Sequence, residues 1–445
     1  MTRATTHASG PYEVPNVKID CYAMYTNNPP SGAFRGFGVT QSAFAVESMM
    51  DTMAEYLHID PVEIRRKNAL QVGSITNTGQ TLRDSVGLLD CIEFVDDKMR
   101  ELSGGDPFKP QVIEGEPGKV KAWGFAVAYK NTGLGGGAPD KAGAEVELYD
   151  DGSLEVRTSS AELGQGLVTV LQMIVAEEFN IRIDQSRVLV MDTDLAPDGG
   201  PTTASRQTYV TGNAARYASL TLRSAIQATL AEKYNVPPEE IRFIEGLVQV
   251  GEEQVSLGDV AKIMRLEGKE PKTRYVYWAP ETQPLGEGGD MHFAFSFGAQ
   301  AAEVIVDTRT GEIEIPRIIA ATDVGKVINP LGLQGQVEGG IMMAIGNAWT
   351  EHFILEDGIP FTDRMARYRI PNIQHTPEII SYAVEAPSKD GPYGAKGIGE
   401  IISIPTSPAI TNAIYHAVGV RVDSLPVDQE KILLALSEKS LMKSG

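Results

Sequence analysis

Apolar residues recur at three- and four-residue steps from Gln41 to His58, where Val46, Met49, Met50, Met53 and Leu57 share one face of a helix. The methionines on that face read as core residues rather than as part of a cofactor site. Asp60-Pro61 opens the next helix, with proline at its first position, and that helix runs through Val62-Glu63-Ile64-Arg65-Arg66-Lys67. Helices are also expected at 213–234, 334–347 and 407–418, with a surface helix at 427–443. Residues 1–40 read as an extended approach that ends in a glycine-rich turn. The Gly- and Pro-rich stretch 104–119 reads as a link between domains. Val120 to Tyr129 is strand-like and leads into the loop Gly133-Leu134-Gly135-Gly136-Gly137.

Two segments repeat one design. Residues 144–157 read as a strand, an Asp-Gly turn and a second strand, and residues 302–315 read the same way with a slightly longer turn. Each is followed by a glycine-bearing segment and then a helix. The pattern implies an α+β fold of mixed sheets and helices, built as two related halves around a shared site.

Composition narrows the chemistry. The 445 residues, 42% of them hydrophobic, suffice for a sizeable core in about two or three domains. With 39 Lys+Arg against 59 Asp+Glu the formal charge is −20, which repels phosphate backbones and argues against a nucleic-acid partner. Two distant cysteines, Cys21 and Cys91, exclude a disulfide framework and a self-contained iron–sulfur cluster, which needs about four thiolates. The six histidines show no HxxxH or HExxH spacing, so any metal is expected inside an organic cofactor. Residues 1–7 lack an apolar signal region, and no run of apolar residues is long enough to span a membrane. The expected location is the cytoplasm.

Four segments carry candidate chemistry. In Gly32-Ala33-Phe34-Arg35-Gly36-Phe37-Gly38, glycines let the backbone come close to a ligand, Arg35 offers a bidentate guanidinium, and a phenylalanine can stack on a planar ring. The plainer reading is a tight loop with an exposed arginine. Glu162-Leu163-Gly164-Gln165-Gly166 is either a ligand-approaching loop with an amide that donates and accepts, or a strand-to-helix turn. Residues 201–214 crowd hydroxyls, an arginine and amides into a loop that enters a helix, which suits a phosphate or a well-furnished N-cap. Gly391 to Glu400 sets a carboxylate between a glycine-rich loop and the apolar run Ile401-Ile402-Ser403-Ile404-Pro405. Burial there is expected to raise the pKa of Glu400 and make it a better base. The glycine spacing does not fit a Rossmann fingerprint, although a phosphate loop or a helix N-terminal acid stays open.

The order of these segments is more telling than any one of them. Ala33-Phe34-Arg35-Gly36-Phe37-Gly38, Gly164-Gln165-Gly166, the Ser/Arg/Thr loop, Phe297-Gly298-Ala299-Gln300, Asp323 to Pro330, Gly335-Gln336-Val337-Glu338-Gly339-Gly340 and Gly394 to Glu400 resemble, in that order, the molybdenum subunit of the xanthine dehydrogenase and aldehyde oxidase family. The resemblance runs from about Asn16 to about Val427. It implies molybdopterin, in its cytosine dinucleotide form in many bacterial members, as the carrier of molybdenum. It implies Glu400 as catalytic base, Arg35 and Phe37 as substrate-binding residues, and cofactor contacts from Phe34, Gly36, Gly164, Gln165, Gly166, Thr203, Ala204, Ser205, Arg206, Gln207, Thr208, Lys396, Gly397 and Gly399. The implied reaction is hydroxylation of an aromatic N-heterocycle such as a purine or nicotinate with water-derived oxygen. An aldehyde oxidoreductase, or a non-catalytic subunit that positions the cofactor, is the alternative.

Two departures from the family pattern matter. The chain is shorter than family molybdenum subunits, so a second molybdopterin-domain chain is expected to supply the preceding half, with [2Fe–2S] and FAD in further partner subunits. Residues 1–110 would then complete that partner's domain, 111–290 would form the first cofactor-binding half, and 291–445 the second. The loop at 133–137 also lacks the second stacking aromatic of xanthine dehydrogenases. Gly36 stands where aerobic CO dehydrogenases carry a copper-binding cysteine, and neither Cys21 nor Cys91 lies there.

Overall fold

The structure, a computed structural model, describes residues 1–444. The chain starts with a short buried helix, α1 (Thr2–Thr6), where an extended stretch was expected; residues 13–35 that follow are largely exposed and irregular. Helix α2 (Val39–Leu57) forms as expected, but on a rotated face. It buries Ala43, Glu47, Met50, Asp51 and Ala54, while Met49, Met53 and Leu57 point outward. Buried ionic partners decide this rotation: Arg65 lies 2.7 Å from Glu47, and Arg421 lies 2.8 Å from Asp51. Helix α3 (Pro61–Asn68) is capped by Asp60, whose carboxylate accepts from the amides of Val62 and Glu63. Helix α4 (Leu88–Ser103) follows.

The stretch 104–119 does not separate domains. Strand β1 (Gln111–Val112) folds back onto β2 (Lys119–Thr132), in the same sheet. Strands β3 (Lys141–Leu148) and β4 (Leu154–Thr158) form the first expected hairpin. Helix α5 (Leu167–Phe179) carries the chain to β5 (Ser186–Val190), which lies parallel to β4. A long loop then enters α6 (Gly212–Tyr234). A small meander of β6 (Ile241–Ile244), β7 (Leu247–Val250) and β8 (Glu253–Ser256) and helix α7 (Leu257–Leu266) precede β9 (Lys272–Trp278), which pairs with β3.

The second half repeats this plan. Strands β10 (Ala294–Asp307) and β11 (Ile313–Asp323) form the second hairpin, and α8 (Pro330–Ile345), capped by Asn329, follows. After the short β12 (Leu355–Glu356), β13 (Ile359–Pro360) and α9 (Met365–Tyr368), β14 (Glu378–Val384) runs parallel to β11. Another long loop enters α10 (Thr406–Val418), and α11 (Gln429–Ser444) closes the described chain. The sheet orders are β1-β2-β10-β11-β14 and β5-β4-β3-β9. Strand β2 is hydrogen-bonded along its length to β10, so the boundary expected at 290 does not divide the sheets.

Strand β2 shows why the larger sheet is covered on both faces. Its small residues, Ala122, Gly124, Ala126 and Ala128, face α10, while Trp123, Phe125, Val127 and Tyr129 face α4 and α2. A Cβ on Gly124 would lie 2.2 Å from the carbonyl oxygen of Ala409, so glycine sets the approach of α10. No helix among the described residues is long and apolar enough to cross a membrane.

Candidate functional site

Glu400 stands where the long loop after β14 turns into α10. The following residues, Ile401, Ile402 and Ile404, are buried in the core beneath the sheet and fix the turn from below. Gln300 on β10 pins the same turn, donating to the Ile402 carbonyl at 2.7 Å and accepting from Thr406 at 2.6 Å. The carboxylate therefore emerges from a rigid base and is 8% exposed.

Its surroundings are more polar than an apolar pocket. The Lys130 ammonium, from β2, lies 2.9 Å from Oε2 of Glu400. Ser205 Oγ donates to the same oxygen at 3.1 Å. Among the described residues Oε1 receives no hydrogen bond. Burial pushes the Lys130 ammonium below its ordinary pKa, and the nearby carboxylate opposes that shift. Two further cations add positive potential at Glu400. Arg35 donates from Nε to the Gly399 carbonyl, and from Nη2 to Oε1 of Gln336 at 3.1 Å. Arg3 donates to the Leu134 carbonyl and lies 3.3 Å from Nε2 of His292. Behind them, burial holds His7 and His292 well below the usual histidine pKa.

Ser205 is brought to Glu400 by two unusual backbone positions and one close contact. Ala204 and Ser205 have φ of 50° and 53°, in the left-handed region. The Ala204 carbonyl accepts from Gly133 N at 2.8 Å. A Cβ on Gly397 would lie 1.6 Å from the Ser205 carbonyl oxygen, so only glycine lets the two loops touch. The Arg206 guanidinium is turned into the protein. It is buried, 2.7 Å from Asp140, and donates to the carbonyls of Gly199, Pro201 and Lys141. Gln207 is likewise spent on Pro201, Thr202 and Thr211. The Lys396 ammonium turns away from Glu400 into a fully buried pair with Asp323 at 2.5 Å. These three side chains stitch the loops together because a buried charge or amide must find its partners within the protein.

Beside Glu400 a cleft opens at the seam of the halves. Gly166, Val170 and Thr208 line it from the first half, and Val324, Ile328, Asn329, Leu333, Gln336 and Ile398 from the second. A pterin is flat, with apolar faces and a polar edge. The lining offers branched apolar side chains, amides, a hydroxyl and two lysines, Lys326 and Lys396, which suit a flat ring with a polar edge. Gly164 and Gly166, at φ of 99° and 89°, have no atom within 4 Å of where a Cβ would stand, so the loop backbone is open to a ligand. The Gln165 amide is folded onto its own loop, accepting from Leu163 N at 2.5 Å and donating to the Ala161 carbonyl at 3.0 Å. Glu162 fills the start of α5, accepting from the amides of Gly164, Gly166 and Val168. Burial of Glu162 acts to raise its pKa, but these amides outweigh it and hold the carboxyl below its ordinary value.

Of the residues singled out in the sequence, Glu400, Arg35, Gly399, Ser205, Ala204 and Gly397 meet at one centre, with Gln165, Gly166, Thr208 and Lys396 at the adjoining cleft. Thr203 lies at the loop's turn, its carbonyl accepting from Arg206 N. Gly36, at φ 94°, shapes the arginine loop, while Phe34 and Phe37 project to solvent, 57% and 46% exposed. Sequence reasoning missed Lys130 and Arg3 as members of the site. Lys130 carried a usable signal, being a lone lysine in the apolar run 122–129 and its continuation. Among the described residues no group of three or more His, Cys, Asp or Glu side chains is placed to hold a metal ion.

Comparison with known proteins gives the family. Residues 1–69 and 98–377 match two molybdopterin cofactor-binding domains. The chain is 32% identical over 92% of its length to a xanthine dehydrogenase molybdenum-binding subunit from Escherichia coli O157:H7, covering 54% of that protein. It is 30% identical over 96% of its length to an aldehyde oxidoreductase from Megalodesulfovibrio gigas, covering 44% of it. The crystal structure of quinoline 2-oxidoreductase from Pseudomonas putida 86 superposes with a TM-score of 0.84 at 25% identity, over 98% of this chain and 57% of that one. The chain spans about half the length of the curated relatives it matches. It belongs to the molybdopterin cofactor-binding family that includes the molybdenum-binding subunits of xanthine dehydrogenases and the aldehyde oxidoreductases.

Proposed function

We propose that this chain is the base-bearing part of a molybdenum hydroxylase that hydroxylates an electron-poor carbon of an aromatic N-heterocycle, such as a purine or nicotinate, with oxygen from water. The observation that carries this reading is the Glu400 carboxylate, held through Oε2 by Lys130 and Ser205 with no donor to Oε1 among the described residues, two residues along the loop from Ile398 in the wall of the neighbouring cleft. Gly164, Gly166, Thr208 and Gln336 would hold the cofactor, and Gln165 would join them by turning from its loop. When bound, molybdopterin supplies the metal centre at which oxygen is transferred and two electrons are taken up.

The protein's own residues would then do the following. Glu400 takes a proton at Oε1. Lys130 and Ser205 keep Oε2 from rotating into that role. Arg35 orients a polar edge of the substrate, and Phe37 closes over its ring. Electrons leave through [2Fe–2S] and FAD groups in partner subunits of a cytoplasmic complex. The structural relative named for quinoline supports a heterocyclic substrate. An aldehyde substrate is the second reading, favoured by the absence of an aromatic residue from 133–137 that could complete a ring sandwich.

The test is purification of the native complex, metal analysis, and turnover of hypoxanthine, nicotinate and benzaldehyde in 18O-labelled water. About one molybdenum per chain and label in a hydroxylated heterocycle is the expected result. Label in benzoate alone would replace it with the aldehyde reading, and a complex without molybdenum would overturn both.

A further inference from the structure

Lys130 is the residue in the site that packing alone does not explain. It lies near the end of β2, directly after the buried run 122–129 of Ala, Trp, Gly, Phe, Val and Tyr, and its side chain is 2% exposed. A buried ammonium carries a desolvation cost of several kcal/mol. An aliphatic residue would fill the same space without that cost. The lysine is therefore tied to what its charge does, and among the described residues its charge has one carboxylate neighbour, Oε2 of Glu400 at 2.9 Å. Its other contact is Oδ1 of Asn131 at 2.8 Å, which holds the ammonium in place while adding no charge.

We propose that Lys130 is a positioning residue for Glu400: with Ser205 it fixes Oε2, sets a counter-charge against it, and presents Oε1 as the proton-accepting oxygen. This rests on reading Glu400 as the base. The other charged and titratable groups facing the pair do not duplicate the role. Arg35, from the arginine loop, directs its donors to Gly399 and Gln336, and Arg3, from α1, to Leu134 and His292. His7, after α1, and His292, before β10, face Lys130 and are kept neutral by burial. Among the described residues only Lys130 places a full positive charge in contact with the carboxylate, so removing it is expected to raise the proton affinity of Glu400 relative to the native protein.

The experiment is a pH titration of the native complex by infrared spectroscopy. The protonated-carboxyl band of Glu400 is identified by its disappearance in Glu400→Gln. In Lys130→Met the midpoint of that band is expected to move up by about one pH unit or more, a tenfold change in proton affinity. Lys130→Arg, which keeps the charge, is expected to move it less than half as far, and Ser205→Ala to move it less than Lys130→Met. If Lys130→Met does not assemble, Lys130→Gln carries the same expectation. A midpoint that stays within about 0.3 units in the charge-removing variant would overturn the proposal. Turnover of Glu400→Gln separates the two readings. If that variant stays active while the Lys130 shift is seen, the ion pair stands and the base assignment falls. If it is inactive and no shift is seen, the base stands and the role of Lys130 falls.

Discussion

The two halves of the molecule follow one plan and end in different chemistry. In each, a hairpin leads through a glycine-bearing turn and a helix to a parallel strand, and a long loop then enters a buried helix. In each, a buried cation and carboxylate secure that long loop: Arg206 with Asp140 in the first half, Lys396 with Asp323 in the second. Past those pairs the loops diverge. The first delivers a hydroxyl, Ser205, and the second a carboxylate, Glu400, and the two meet at 3.1 Å. Duplicated packing has left the scaffold symmetric and the chemistry one-sided. The two lysine pairs make the same point. The Lys396–Asp323 side chains are sealed from solvent on both sides, whereas the Glu400 side chain, paired with Lys130, keeps 11% of its surface exposed.

Substitutions can break this contrast in order of size. Glu400→Gln is expected to cost about 100- to 10,000-fold in turnover, the range of general-base catalysis, with the thermal midpoint nearly unchanged. Steady-state kinetics beside a melting curve checks both halves of that statement. Asp323→Ala strands the Lys396 ammonium in the core and is expected to cost about 3–5 kcal/mol of stability, read by urea denaturation. The outcome that would erase the contrast is a variant of Asp323 that keeps its stability and loses only turnover.

Gly397→Ala drives a methyl group into the Ser205 carbonyl, and overpacking of this kind costs about 1–3 kcal/mol. It is expected to lower turnover as well, because Ser205 and Glu400 are pushed apart. Acid sensitivity supplies a smaller and continuous test. His7 and His292 are neutral in the folded chain because burial depresses their pKa, whereas in the unfolded chain they bind protons below about pH 6.5. Their depressed values mean that stability is full above that pH and declines below it, by at most about 1.4 kcal/mol per pH unit for each histidine. Denaturation midpoints at pH 7 and pH 5 measure the slope, and His292→Gln is expected to flatten it.

The segments that carry chemistry were legible in the sequence because glycine, proline and isolated charges punctuate it there. Val39–Leu57, Gly212–Tyr234 and Thr406–Val418 formed close to the expected helices, and both hairpins formed where alternation and a turn predicted them. The face that α2 buries was not legible. Periodicity selected its methionines, but Arg65, Arg421 and His416, remote in sequence, drew Glu47 and Asp51 inward instead. The link expected at 104–119 failed for a related reason, since a Gly/Pro-rich composition serves a hairpin as well as a domain boundary.

By itself, then, the sequence determined the α+β class, the repeated hairpin–helix plan and the identity of Glu400, Arg35 and the glycine loops, since local backbone preference and motif order are written residue by residue. Only the tertiary structure decided which cation meets Glu400 and which meet other buried carboxylates. Arg206 and Lys396 lie in motifs yet face buried carboxylates, while Lys130, in no motif, faces Glu400. Charge pairing acts through space over a few ångströms, and here it joins positions 270 residues apart on β2 and the loop before α10.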